Sequence, residues 1–248
     1  MVQEWASYFT TLSDKVASIF VDLGLRHDAP LRSNPWRLRV RIHLTLARPD
    51  GLSHSEEAPT LFLIEDALNL QLERECGGVP CGRITGRDMR EFCFYARTSK
   101  GFRPAVATAL AGFPGHRFEV AEKQDPDWEY YFNVLYPSPE ELEQIKNRGL
   151  LDVLLKGGDV LSIPREVQHW AYFPSEECRQ LFRNAAGNVG FEIGYESQGK
   201  GNLPFGLTVF RTQAIVQELI DQTTIELLRL AKRFGGEYDG WETPVTTQ

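Results

Sequence analysis

From Trp36 to Leu46 apolar and polar residues alternate without a break: Trp36, Leu38, Val40, Ile42, Leu44 and Leu46 against Arg37, Arg39, Arg41, His43 and Thr45. A two-residue period puts every apolar side chain on one face of an extended strand, predicted over Trp36–Ala47. Such a strand needs partners at its sides and a layer over its apolar face. The next segments supply both. Leu61, Ile64, Leu68 and Leu72 recur at helical spacing up to Glu75, before Gly77-Gly78, and Ser53 with Glu56 has the spacing of a capping box. Val79–Thr85 and Arg90–Arg97 read as strands around the turn Gly86-Arg87-Asp88. Phe102–Ala111 is a short helix, and Arg117–Lys123 and Glu129–Tyr136 are further strands. Ahead of them, Trp5–Thr11 and Ala17–Leu25 carry weaker strand patterns. From Trp36 onward the order is β-α-β-β-α-β.

The same order recurs after Pro137. Ser138-Pro139-Glu140-Glu141 opens a helix that runs toward Leu155, with Ser as cap, Pro in the first turn and Glu reaching back. Arg165–Phe173 is a strand, and a helix with an acidic first turn starts after Ser175. Phe191–Glu196 and Phe205–Arg211 are strands joined by a Gly- and Lys-containing loop. Ile215–Phe234 is a helix whose predicted inner face is Val216, Leu219, Thr223, Leu227, Leu230 and Phe234. Gly235-Gly236 ends it, and Glu237–Trp241 is the last strand. The chain therefore divides into an α+β domain at 1–137 and a second at 138–248, alike in order but not in sequence.

Composition narrows the function classes. The 248 residues are 42% hydrophobic and 25% charged, ordinary for a globular protein with one or two cores. A net charge of −7 disfavours direct nucleic-acid binding and attachment to anionic membranes. No apolar run approaches the ~20 residues of a spanning helix, and no leader is apparent at the N-terminus. Cys76, Cys81, Cys93 and Cys178 fit reduced thiols, and the expected location is cytoplasmic. From Ser138 on there are 16 acidic and 11 basic residues, against 18 and 16 before it, so the second domain carries most of the negative charge.

Motifs for chemistry are scarce. Cys76-x4-Cys81 lacks a second ligand pair, and the five histidines are scattered, so no metal site and no cofactor are expected. No nucleophile elbow and no phosphate-binding loop is present. Arg37, Arg39 and Arg41 form a stripe that is a possible anion site, with pairing to Glu119 or Glu122 as the competing reading. Arg90-Glu91-Phe92-Cys93-Phe94-Tyr95 loosely echoes the aromatic strand of RNA-recognition domains, but Glu91 stands where a glycine would be needed.

The densest stretch is Glu237-Tyr238-Asp239-Gly240-Trp241-Glu242. Its carboxylates Glu237, Asp239 and Glu242 read either as acid–base groups or, beside Gly-Trp in a terminal strand, as turn and rim residues. Its aromatics either anchor a partner or close the second core. After a helix ending Ala231-Lys232-Arg233-Phe234-Gly235-Gly236, it resembles the C-terminal signature of the regulator of ribonuclease E activity B family. Pro164–Phe173 and Gly190-Phe191-Glu192-Ile193 are similar to that family's first two strands. Glu65-Asp66, Gly82-Arg83-Ile84-Thr85-Gly86 and Arg90–Tyr95 resemble a bacterial domain of unknown function, family six-nine-five.

The resemblance implies two ferredoxin-like (βαββαβ) domains and a non-enzymatic protein that binds ribonuclease E and lowers RNA cleavage. The expected partner surface centres on Tyr238, Asp239, Gly240, Trp241 and Glu242, with His169 and Trp170 beside it if the first and last strands adjoin. The competing classes are an RNA binder, a small-ligand binder, and an enzyme with a pocket between the domains.

Overall fold

The computed structural model describes residues 3–247, which fall into two compact units divided between Pro137 and Ser138. In the first unit, β3 (Trp36–His43), α1 (Ala58–Cys76), β4 (Val79–Gly86), β5 (Met89–Ala96), α2 (Phe102–Leu110) and β6 (Phe118–Gln124) follow a hairpin of β1 (Trp5–Leu12) and β2 (Lys15–Asp22). All neighbours are antiparallel, in the order β1-β2-β4-β5-β3-β6. The last four strands have the ferredoxin-like arrangement, and the hairpin widens the sheet at the β4 edge. Leu38, Val40 and Ile42 of β3 join Phe92 and Phe94 of β5 under Leu61, Ile64, Leu68 and Leu72 of α1, all buried.

Four local predictions differ. The strand predicted over Ala17–Leu25 runs Lys15–Asp22 instead, and Leu23–His27 forms a tight helical turn. The regular strand ends at His43, and Leu46 is exposed in the loop that follows. α1 begins at Ala58, not at a Ser53 cap. Ser53 Oγ accepts from Arg90 Nη2 (3.1 Å), while Glu57, at the cap position, makes no cap bond. Burial pushes the Glu57 carboxyl up, but donors from Thr45, Leu46 and His116 outweigh it and hold it below the usual carboxylate range.

Glu129–Tyr136 is not a strand. It holds a single wide helical turn, Tyr131–Leu135, closed by Tyr136 N–H to Tyr131 O at 2.7 Å. The Asp125 carboxylate accepts from the backbone N–H of Glu129 and Tyr130 and from the Tyr95 hydroxyl, which turns the chain. The turn lies on the sheet face opposite α1 and α2. There Trp128 stacks on Tyr95 at 4.0 Å, and the Tyr131 hydroxyl donates to Asp22 O. An aromatic cluster that reads as a strand by composition thus covers the sheet's second face.

The second unit runs α3 (Pro139–Lys156), β7 (Arg165–Phe173), α4 (Glu176–Asn188), β8 (Glu192–Gln198), β9 (Phe205–Gln213), α5 (Gln217–Arg233) and β10 (Glu237–Glu242). Its sheet order, β10-β7-β9-β8, is again ferredoxin-like and antiparallel. The predicted capping box is formed: Ser138 Oγ accepts from Glu141 N–H, and Glu141 accepts from Ser138 N–H. Ser138→Ala is expected to cost about 1 kcal/mol of helix stability, read as faster amide exchange in the first turns of α3.

α5 sits rotated from its predicted face. Ile220, Thr223, Thr224, Leu227 and Ala231 are buried, whereas Leu219 is exposed. The cause is α3, which packs beside α5 and draws Thr224 inward to the Asn147 amide (2.8 Å).

Candidate functional site

β10 pairs with β7, so the first and last strands of the second unit do adjoin. Tyr238 lies opposite Ala171 and Trp241 opposite His169. Residues three apart in a regular strand point to opposite faces, yet Ala171 and His169 are both on the helix-covered face. A bulge between Tyr238 and Gly240 resolves this by inserting one residue, so that Tyr238 and Trp241 both turn inward. Gly240 has φ 145°, a backbone region that side chains with a Cβ rarely adopt. The sequence Tyr-Asp-Gly-Trp is therefore the local code for a bulged closing strand.

The two aromatics make different bonds inside. Trp241 is buried with Leu151, Leu154, Val167, Ile215 and Ile220, and its Nε1 donates to Asn147 Oδ1 on α3 (2.8 Å). The same Asn147 amide donates to Asp221 Oδ1 and Thr224 Oγ1 on α5, both at 2.8 Å. One buried amide therefore ties β10, α3 and α5 together. The Tyr238 hydroxyl shares a 2.9 Å hydrogen bond with His169 Nδ1. His169 is fully buried, and its Nε2 has no partner among the described residues. Burial, with Arg211 nearby, lowers its pKa to about 3, so the ring is neutral. Burial, then the charges of Glu143 and Asp239, raises Tyr238 well above the usual phenol range.

His169 and Trp241 thus stand inside the second unit. Asp239 and Glu242 are exposed, Gly240 and Trp170 half-exposed. Trp170 belongs to the sheet face opposite the helices. Register places Tyr172 and Phe210 on that face with it, Phe210 lying opposite Gln168. Four exposed carboxylates share the same face by register: Glu166, Glu192, Glu237 and Glu242. Neither Tyr172 nor Phe210 stands out in sequence. Only the pairing of β7 with β9 sets the three aromatics side by side.

In the first unit the arginine stripe is mostly engaged. Glu91 accepts from Arg41 Nε (2.5 Å), Arg39 Nη1 (3.4 Å) and the Tyr130 hydroxyl (2.5 Å), and Arg37 lies 3.9 Å from Asp125. Arg37 and Arg39 also stand over the Tyr130 ring, at 4.6 and 5.2 Å from its centre. Among the described residues, no three His, Cys, Asp or Glu side chains converge as a metal site, and no helix is long and apolar enough to cross a membrane.

Comparison with known proteins places both halves. Residues 3–136 match the model of a family of unknown function, DUF695, and residues 143–243 match Regulator of ribonuclease activity B. No curated protein matches the chain. A solved structure described as an unknown protein from Galdieria sulphuraria is similar at 12% identity over 86% of this chain and 99% of that one, with a TM-score of 0.23. The chain belongs to the DUF695 family of unknown function, its first unit joined to a second that matches Regulator of ribonuclease activity B.

Proposed function

We propose that this protein is a non-catalytic, cytoplasmic regulator that binds a ribonuclease, ribonuclease E by resemblance, and slows RNA cleavage. The match of residues 143–243 to Regulator of ribonuclease activity B carries the reading. The geometry adds the chemistry of contact. Trp170, Tyr172 and Phe210 offer flat apolar anchors among Glu166, Glu192, Glu237 and Glu242, a combination that suits an arginine- or lysine-rich protein segment. Charges at the rim would speed encounter, and the aromatics would hold the complex.

The test is co-purification with ribonuclease E, followed by an RNA-cleavage assay with the purified pair. Trp170→Ala is expected to weaken binding at least about tenfold with the fold retained, because an aromatic anchor at an interface centre commonly dominates affinity. Glu237→Lys with Glu242→Lys should slow association and reduce its salt dependence. Absence of binding at micromolar concentrations together with unslowed cleavage sinks this reading.

A further inference from the structure

On the sheet face opposite α1 and α2, the first unit has a half-open cleft of about 300 Å³. Its floor crosses four strands: Ala17 of β2, Ile84 of β4, Met89 of β5 and the Arg41–Glu91 pair between β3 and β5. One wall is the wide helical turn, through Tyr130 and Val134. The rim is made by the two hairpin turns, at Ser13 and Arg87. Arg87 Nη2 donates to Leu12 O at 3.0 Å, which links the two turns.

The polar groups around this apolar floor are unbalanced. Lys15, Arg41 and Arg87 line the cleft with a single carboxylate, Glu91, and Asp50 and Asp88 border Lys15 and Arg87 only in the adjoining hollow. Glu91 already accepts from Tyr130, Arg39 and Arg41, and it engages Arg41 only through Nε. The terminal nitrogens of Arg41 therefore remain available to a ligand. Lys15 has no ion pair among the described residues. An apolar cavity with a few convergent polar groups is the usual form of a small-molecule site.

We propose that this cleft binds a small organic anion, its apolar body on Ala17, Ile84, Met89 and Val134 and its carboxylate or phosphate between Lys15, Arg41 and Arg87. At ~30 Å³ per water-sized group, the volume suits a ligand of about ten non-hydrogen atoms. The site lies wholly on the first unit, so it stands or falls separately from the ribonuclease reading.

Phenylacetate has the right size and charge, and phenylacetamide is its neutral counterpart. Amide chemical shifts of the full chain are followed during titration with each, and with inorganic phosphate. Phenylacetate is expected to saturate with a Kd of about 1 mM or tighter. The shifts should be confined to β2, β3, β4, β5, the two turns and residues 130–134. Phenylacetamide should bind at least about tenfold more weakly, since it lacks the charge-assisted bonds. Lys15→Gln, an exposed change, should weaken phenylacetate at least about threefold, and Val134→Trp should block it by filling the cleft. The proposal fails if phenylacetate does not saturate by about 10 mM, or if its shifts map elsewhere. Equal binding of phenylacetamide removes the anion requirement, and equal binding of phosphate removes the apolar one. Either result overturns it.

Discussion

Trp241→Ala is expected to destabilise the second unit by about 4 kcal/mol, within the range for removing a buried aromatic from a core. The side chain is only 9% exposed and fills the space between α3, α5 and the β7–β10 edge. Truncation also strands Asn147 Oδ1, which loses its donor while its amide stays tied to Asp221 and Thr224. Trp241→Phe separates the two contributions. It keeps most of the packing and loses the indole N–H, so its expected cost is about 1–2 kcal/mol. Amide exchange along β7, β10 and α3 in the full chain reads both effects without assuming that the two units unfold together. Wild-type protection in Trp241→Ala, with weakened partner binding, would return this residue to the surface.

The second large effect is a pH dependence centred on His169. Its folded pKa of about 3 lies below the ordinary imidazole value of 6.5, because burial and then Arg211 disfavour the charged ring. The unfolded chain therefore takes up a proton below pH 6.5 that the folded chain refuses. Stability from this group is complete above pH 6.5 and is lost progressively as pH falls toward 3. The slope approaches about 1.4 kcal/mol per pH unit, so about 2 kcal/mol should be gone by pH 5. Exchange protection of β7 and β10 at pH 7 and pH 5, corrected for intrinsic rates, measures it. His169→Gln should lower protection at pH 7 but flatten the difference between the two pH values. An unchanged slope in that variant would assign the acid sensitivity to other groups.

These effects change what the closing strand means. Tyr238, Asp239, Gly240, Trp241 and Glu242 read in sequence as a mixture of anchors and carboxylates, with core and surface both open for Trp241. Paired to β7 through a bulge, the mixture divides by position. Tyr238 and Trp241 enter the helix-covered side, Gly240 takes the backbone angle that permits it, and Asp239 and Glu242 stay outside. The stretch is therefore a folding device of the second unit, and the partner surface proposed above uses the other face of the same strands.

Much of the architecture was legible because it depends on local periodicity. The alternation of Trp36–Ile42, the helical spacing of Leu61–Leu72, the cap at Ser138 and the turn at Arg87-Asp88 each follow from bonds and packing within a few residues. Both βαββαβ orders follow from signals of this local kind. What the sequence left open depends on partners distant along the chain. Glu129–Tyr136 has strand-like residues, yet Asp125 and Tyr95 hold it as a helical turn over the sheet. The inner face of α5 is set by Asn147 on α3, 77 residues away along the chain. The arginine stripe reads in sequence as an anion site or as paired with Glu119 or Glu122, whereas Glu91 and Tyr130 are what the fold places against it. The cleft beside Lys15 and the row of Trp170, Tyr172 and Phe210 exist only through strand register. Sequence by itself determined the elements and their order, since backbone propensity and periodicity are short-ranged. Only the tertiary structure decided which polar groups are spent on one another and which remain for a ligand or a partner, because that depends on distances between residues far apart in the chain.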